Sequence, residues 1–476
     1  MQKNTDRYAE KSRPTMYRAL KYWGKKPHNI WNEIICEYSK PNDIVFDPFA
    51  GSGLTFFECI KAERFPVVSD INPLTNFIVD VYSSSIDYRQ LTNYFEEILS
   101  KVHSLKTYRD NYLCKCKKCG NETDIYNYLF EKDVCSKISY KCKYCGETIS
   151  EPIKHMPECK ELGYWLPNYD ISNFKTICKS TIERFGGADI KNIWPKNALQ
   201  ILSAIFYYIS TIPEPYKKVL TFAFLQTVHL TTKMCAARSE KTNRPLSTSW
   251  GRPAYMYLKN RLEQNPLIQF KRAFSGPNGI VNAFNSRDTY LKPYEFGSNV
   301  SFSNSISGIA LYCDTKAIQL PEKSVDLIIT DPPYGDIIQY GELCVIWNVW
   351  LTKMYPQYKI NLTDEIVVKD ENSENKYVQD MIAVFNVCKV ILKDKGKCIL
   401  TFNSNKTKDW ELIFKSIKNS GFNIVDYFSQ NNLRSSEANV TAKTGQAISD
   451  YYIILSKTGR DKSDNLKQIV FSKLGV

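Results

Sequence analysis

Short apolar runs alternate along this chain with stretches whose apolar positions recur every three or four residues. Over residues 28–39 (HNIWNEIICEYS), Ile30, Ile34, Ile35 and Tyr38 fall on one helical face, and Pro41-Asn42 breaks the pattern. Ile44-Val45-Phe46 reads as a short strand ending at Asp47, followed by a glycine-containing loop and a helix across 54–63. Phe65-Pro66-Val67-Val68 reads as a second strand closing at Asp70. Strand, glycine loop, helix, strand is a βαβ unit, and its strands run parallel. The same rhythm returns late in the chain. Strands are expected at Ile309–Tyr312 before Asp314, at Val325–Thr330 before Asp331, at Lys397–Phe402 and at Tyr451–Leu455. Helices are expected over 338–354, 374–394 and 408–420.

Between these ends the rhythm fails. Cysteines cluster over 114–159, helical patterns follow near 197–212 and 216–232, and a loop rich in Lys, Arg, Ser and Thr spans about 233–262. The expected architecture is α/β with an interrupted sheet. Residues 1–90 form its first part, 91–165 a cysteine lobe, 166–305 a mainly helical basic insertion, and 306–476 its second part.

Composition narrows the class. At 476 residues, 43% hydrophobic and 24% charged, this is an ordinary folded chain and not a disordered one. A formal net charge of +13 points to a polyanionic partner. No apolar run of about 18 residues exists to cross a membrane. The opening MQKNTDRYAEKSRPTMYRAL lacks an apolar signal core, so the expected location is the cytoplasm, with no membrane partner. Fifteen cysteines is an odd number and a high one for that compartment, which favours metal binding over disulfides.

The spacing agrees. Cys116-Lys-Lys-Cys119-Gly120 and Cys142-Lys-Tyr-Cys145-Gly146 are two CxxCG knuckles. Two such knuckles make a tetrahedral four-cysteine zinc site, and with four thiolates it is closed, hence structural. Unrelated free thiols or an iron site of the same geometry are the alternatives, and Cys114, Cys135 and Cys159 lie close enough to exchange as ligands. The lobe also carries Lys115, Lys117, Lys118, Lys137, Lys141 and Lys143, which would meet phosphates or form a solvated face.

Asp47-Pro48-Phe49-Ala50-Gly51-Ser52-Gly53 joins a strand end to a helix start, at the carboxyl edge of a parallel sheet where ligands bind. Gly51 and Gly53 allow close backbone approach. No Gly-Lys-Ser/Thr follows, so this is not a P-loop. Asp70, ending the next strand, is placed to accept both hydroxyls of a ribose.

Asp331-Pro332-Pro333-Tyr334 directly follows another apolar strand. Two prolines stiffen the loop and remove two donors, which suits holding an exocyclic amino group. The Asp331 carboxylate and the Pro332 carbonyl would each accept one N–H, and Tyr334 would stack on the planar base. A rigid turn behind a buried strand is the structural alternative. A carbon-5 pyrimidine methylase needs a cysteine nucleophile, usually in Pro-Cys, and the chain contains no Pro-Cys.

Together these segments resemble the S-adenosylmethionine-dependent amino-methyltransferases of DNA, the N6-adenine and N4-cytosine class. Asp47-Pro-Phe-Ala-Gly-Ser-Gly is similar to their first cofactor motif and Asp331-Pro-Pro-Tyr to their catalytic motif. Tyr22-Trp23-Gly24-Lys25-Lys26-Pro27 looks like the N-terminal motif packed near the methionine moiety. DPPYGDIIQYGELCVIWNVW (331–350) and LTFNSNKTKDWELIFKSIKNSGF (400–422) resemble a zinc-ribbon subgroup of adenine-specific methylases.

The resemblance implies a Rossmann-like methyltransferase sheet interrupted by a zinc ribbon and a mainly helical insertion. It implies S-adenosylmethionine and structural Zn2+ as cofactors. Asp47, Pro48, Phe49, Gly51, Gly53, Asp70 and Asp314 would hold S-adenosylmethionine. Asp331, Pro332, Pro333 and Tyr334 would be catalytic, and Cys116, Cys119, Cys142 and Cys145 would bind metal. The expected substrate is double-stranded DNA, with adenine N6 favoured over cytosine N4 because Asp opens the catalytic motif. A restriction or phage-defence system is left open as partner. An RNA base methylase, and an inactive zinc-ribbon nucleic-acid-binding protein, are the other readings. The loop carrying Lys233, Arg238, Lys241, Arg244, Arg252, Lys259 and Arg261, with Trp250, Tyr255 and Tyr257 interleaved, is expected to face DNA.

Overall fold

The computed structural model of the chain describes residues 8–153, 156–237, 253–303, 305–335, 338–431 and 449–475. The first strands are β1 (Ile44–Asp47) and β2 (Phe65–Asp70). Those of the cysteine lobe are β3 (Leu113–Lys115), β4 (Glu122–Glu131), β5 (Val134–Lys141) and β6 (Thr148–Pro152). Then come β7 (Arg261–Gln264), β8 (Phe296–Gly297), β9 (Gly308–Tyr312), β10 (Val325–Thr330), β11 (Leu392–Phe402), β12 (Asn423–Asn431) and β13 (Ser449–Ser456).

Eight of these make one mixed sheet in the order β12-β13-β11-β10-β1-β2-β9-β8. The strands from β11 through β8 run parallel. β13 is antiparallel to both β11 and β12. Val45 and Phe46 of β1, and Val325, Leu327, Ile328 and Ile329 of β10, are fully buried. Strands covered on both faces read as unbroken apolar runs, which is why they stand out in the sequence. β2 and β9 are neighbours in the sheet although the cysteine lobe and the helical region separate them in the chain. β11 begins at Leu392, so the helix expected over 374–394 stops at Ile391.

The helix Tyr340–Met354 follows the Asp331 loop and is apolar nearly all round, with Leu343, Val345, Ile346, Trp347, Trp350 and Leu351 buried. A helix of that kind must be covered on every side. The interrupting region supplies one cover. The Trp350 ring meets Trp165, Trp194, Phe206 and Phe224 at centroid distances of 5.1–5.7 Å. Phe206 and Phe224 sit on the helices Lys196–Ser210 and Tyr216–Leu230. The interrupting region is therefore packed into the same core as the sheet's helices.

In the cysteine lobe, β3 to β6 form an antiparallel sheet, and β7 pairs with β4 along the edge that β3 leaves free. Among the described residues, no helix is long and apolar enough to cross a membrane.

Candidate active site and metal centre

Asp47, Asp70, Asp314 and Asp331 all stand just at or beyond the carboxyl ends of parallel strands, β1, β2, β9 and β10. One pocket runs along that edge. Of the residues expected to act on cofactor or substrate, Asp47, Pro48, Phe49, Gly51 and Asp70 line it, as do Asp314, Asp331 and Pro333. Gly53, Pro332 and Tyr334 lie outside its lining. Tyr22, Trp23, Gly24, Lys25 and Lys26 form part of its wall.

The glycine loop is fixed by hydrogen bonds that its sequence prepares. Gly51 and Gly53 both have positive φ, +52° and +76°, where a side chain is strained. A Cβ on Gly51 would stand 3.2 Å from the Tyr22 ring. The Gly51 amide donates to Asp70 Oδ2 at 2.7 Å and the Asn72 amide to Asp70 Oδ1 at 2.8 Å. Burial pushes the Asp70 carboxyl up to about 6, against the pull of those two amides. Asp47 is 2% exposed and accepts from the Phe49 amide at 3.0 Å, from Thr330 Oγ1 at 2.7 Å and from the Thr55 hydroxyl. Its carboxyl is pushed up to about 7 by burial, so these hydrogen bonds offset only part of the desolvation.

The Asp331 loop is equally tied down. Tyr377 donates to the Pro333 carbonyl at 2.8 Å, and the Val368 amide to the Gly335 carbonyl at 3.0 Å. Gly335 has φ +53°, and a Cβ there would collide with Asp409 Oδ1 at 2.5 Å. Asp331 Oδ1 accepts from Thr401 Oγ1 at 2.5 Å and from the Tyr334 hydroxyl, and Lys26 Nζ lies 3.2 Å from it. Burial holds the Asp331 carboxyl above the usual range, while Lys26, Thr401 and Tyr334 pull it down. The Tyr334 ring stands edge-on to Phe402 at 4.9 Å.

Thr401, Asp450 and Glu365 are site residues that the sequence reading did not select, and Lys26 entered it only as one position of the N-terminal motif. Asp450 pairs with Lys26 at 3.0 Å. Glu365 Oε1 accepts from the Gly341 amide at 2.7 Å, while its Oε2 is buried with no partner among the described residues. Burial pushes this carboxyl up to about 7. A charged residue at the mouth of a predicted strand, as Asp450 is before Tyr451, was the available signal.

The pocket wall is thus rich in carboxylates: Asp47, Asp70, Asp314, Asp331, Asp364 and Glu365, against Lys25 and Lys26. That donor set fits a cationic ligand bearing hydroxyls and an amine. S-adenosylmethionine, with a sulfonium, an ammonium and a ribose, has that chemistry.

The four knuckle cysteines converge elsewhere, with all four Sγ atoms within 4.8 Å of one another. Cys116 and Cys145 are 3.7 Å apart, and Cys119 and Cys142 are 3.5 Å apart. Four thiolates about 2.3 Å from one zinc ion would be roughly 3.8 Å apart along each tetrahedral edge. The two knuckles share one turn: Gly120 and Gly146, at φ +73° and +75°, return their amides to the Cys116 and Cys142 carbonyls at 2.8 and 2.9 Å. Cys114, Cys135 and Cys159 are not in this group, and no other such group occurs among the described residues. None of the cysteines is paired in a disulfide. Two lobe lysines are partly engaged at home, Lys118 with Glu147 and Lys117 with Glu151.

The expected DNA-facing loop needs correction where it is described. Lys233 is half-buried and its Nζ donates to the Asn192 carbonyl at 2.9 Å; desolvation lowers it to about 8. Arg261 is buried between Asp133 and Glu263 and stacks on Phe130. Tyr255 is 2% exposed and donates to the Glu342 carbonyl, and Tyr257 donates to Asp133. These side chains hold the insertion together, because long basic and aromatic side chains also serve as internal ties. Lys259 is exposed. Arg238, Lys241, Arg244, Trp250 and Arg252 lie outside the described residues.

Comparison with known families then decides the class. A DNA methylase family, that of the N6 and N4 methyltransferases, matches residues 2–105 and 325–473, more than half of the chain. The chain belongs to this DNA methylase family. Membership makes DNA the implied substrate and S-adenosylmethionine the implied methyl donor. The two matched stretches are those that carry the glycine loop and the Asp331 loop, and most of residues 91–165 and all of 166–305 fall between them. No curated protein matches the chain.

Proposed function

We propose that this DNA methylase transfers a methyl group from S-adenosylmethionine to the exocyclic N6 amine of adenine in double-stranded DNA. The observation that carries the reading is the shared pocket: Asp331 and Pro333 line the same cleft as Gly51 and Asp70. S-adenosylmethionine supplies an electrophilic methyl group when bound. Asp70 accepts the ribose hydroxyls, Gly51 and Gly53 let the backbone approach, and Asp314 stands by the adenine of the cofactor. Asp47, Pro48 and Phe49 shape the methionine end. Asp331 and the Pro332 carbonyl accept the two N–H groups of the target amine, which frees its lone pair for attack. Pro333 stiffens the loop, and Tyr334 stacks on the target base. An adenine in a duplex must first leave the stack, at a cost of a few kcal/mol.

The sheet is read as Rossmann-like, built from residues 1–90 and 306–476 with the short edge strand β8 added from the preceding segment. Residues 91–165 are read as a zinc ribbon, in which Cys116, Cys119, Cys142 and Cys145 hold structural Zn2+. Residues 166–305 are read as the target-recognition region. The cytoplasm is the proposed location; a solitary enzyme and a member of a restriction or phage-defence system both fit this reading.

Nucleoside analysis tests the reaction. Purified protein is incubated with S-adenosylmethionine and mixed-sequence duplex DNA, and the digest is examined by mass. N6-methyladenine is the expected product. N4-methylcytosine would keep the site and change the base. Methylation of structured RNA in preference to the duplex would overturn the substrate assignment.

A further inference from the structure

Lys26 has no part in the roles assigned above, yet it sits in the middle of them. Its Nζ lies 3.2 Å from Asp331 Oδ1 and 3.0 Å from Asp450 Oδ2, and donates to the Tyr334 hydroxyl oxygen at 2.8 Å. Its side chain is only 10% exposed. Burial by itself would strip a lysine of its proton, but the two carboxylates outweigh burial and hold Lys26 well above its ordinary value. A permanent ammonium therefore stands against the carboxylate that is read as binding the amine.

The contacts on Asp331 are one-sided. Lys26, Thr401 and Tyr334 all address Oδ1. Oδ2 has no hydrogen bond from the described residues, and Asp331 lines the pocket. Three elements converge to produce this: the segment before the helix His28–Tyr38 brings Lys26, β11 brings Thr401, and β13 brings Asp450.

We propose that Lys26 is a positioning residue. Anchored on Asp450, and with Thr401 beside it, it loads Oδ1 of Asp331 so that Oδ2 is presented to the methyl acceptor as an oriented carboxylate oxygen. This inference rests on the reading that Asp331 accepts an amine N–H. A mere staple between the N-terminal segment and β13 would affect stability and, by its charge alone, the ionisation of Asp331, whereas a positioning residue is also felt in the plateau rate of methyl transfer above the acid limb.

The groups facing Asp331 are Lys26, Tyr334, Tyr340, Asp450 and Tyr452. Lys26 is the cation among them, and an opposite charge this close lowers a carboxyl by about 1–3 pH units. Without it, Asp331 takes up its proton at higher pH.

The test uses the full chain with Lys26→Gln, Lys26→Arg and Thr401→Val. Three quantities are followed: the pH profile of single-turnover methyl transfer to duplex DNA, the carboxyl carbon-13 titration of Asp331 (assigned with Asp331→Asn), and the dissociation constant of S-adenosylmethionine. Lys26→Gln is expected to move the acid limb and the titration upward together by about 1–3 pH units. Lys26→Arg should restore most of that shift, and the dissociation constant measured for each variant separates this effect from any loss of binding by a residue that lines the pocket. Thr401→Val, which removes a neutral donor and retains the shape, should move both in the same direction by less. It keeps the test alive should Lys26→Gln fail to fold. An Asp331 titration unmoved, or a plateau rate unchanged, in Lys26→Gln, or in Thr401→Val where only that variant folds, overturns the proposal. The titration reports on Asp331 whether or not methyl transfer occurs. A shifted titration with no methylated product on any nucleic acid would therefore strike the proposed function and leave the Oδ1 clamp standing.

Discussion

The Gly51 amide donates to Asp70 Oδ2 at 2.7 Å, so the loop after β1 is hydrogen-bonded to the end of β2. Asp70 is thereby oriented before any ligand arrives. The same burial that orients it makes its charge depend on pH.

Cofactor binding should follow that charge. An exposed aspartate has a value near 3.8, whereas burial pushes Asp70 up to about 6. A folded-state value above the unfolded one means that the folded protein holds the proton more tightly. Asp70 therefore stabilises the fold fully below 3.8, and that contribution is lost as pH rises through about 6. Ligand binding runs the other way, since ribose hydroxyls donate best to the carboxylate. The dissociation constant for S-adenosylmethionine, measured by calorimetry, should fall by up to about tenfold per pH unit as pH rises toward 6 and level off above it. Asp70→Asn should bind weakly and lose the dependence.

Asp331→Ala should separate chemistry from binding. The variant removes the acceptor proposed for the amine, and loss of a preorganised group of that kind costs about 10²–10³ in rate or more. Cofactor affinity should change by less than about threefold, because Asp70 and the glycine loop are untouched. Stability should drop by about 1–3 kcal/mol, since Lys26 keeps Asp450 as a partner but loses Asp331. Radiolabelled methyl transfer beside a binding isotherm reads both. Retained activity would remove Asp331 from the mechanism.

Replacing Cys116 and Cys119 with Ser should release one zinc ion per chain. Zinc binding in isolated knuckle peptides is worth about 10–16 kcal/mol, and since β4 and β5 are also held by their ladder and by Tyr128 and Tyr140 in the core, loss of metal should loosen the knuckles first. Elemental analysis should fall from one zinc to none, and limited proteolysis should open within 113–152. Unchanged metal content would place the ion on other cysteines.

How much of this was legible in the sequence depended on burial. β1, β9 and β10 are covered on both faces, so their apolar runs betrayed them, and the loops at their ends carried the chemistry within a few residues. β12 (NIVDYFSQN) mixes polar and apolar positions at the sheet edge and offered no such run. The helices Pro73–Ser83 and Tyr88–Ser104 run close together and were hidden in a stretch read as a boundary. In the site, residues adjacent to a glycine or proline signal were found. Thr401, Asp450 and Glu365 were not, because what selects them is a contact across the sheet or across a loop. Arg261 and Lys233 show the converse error: composition reads a basic residue as surface, while a buried acid such as Glu263 can draw it inward.

Glu342 offers a test of how the insertion communicates with the catalytic half. Its Oε1 accepts the Lys175 amide at 3.0 Å, and its Oε2 accepts the Thr176 amide and hydroxyl, each at 2.9 Å. Glu342 is 4% exposed and lies in the first turn of the helix that follows the Asp331 loop. Removing it strands two backbone donors and one hydroxyl in a buried setting. Glu342→Ala should therefore cost about 2–4 kcal/mol in chemical denaturation, and Glu342→Gln about half as much, since the amide can satisfy one end. Local opening should come first, with protease cleavage near 169–178 before global unfolding. Because the same helix forms a wall of the cofactor pocket through Tyr340 and Gly341, cofactor affinity should fall in parallel with that opening. A variant that loses stability while binding S-adenosylmethionine as the parent does would show that the insertion and the pocket are mechanically independent.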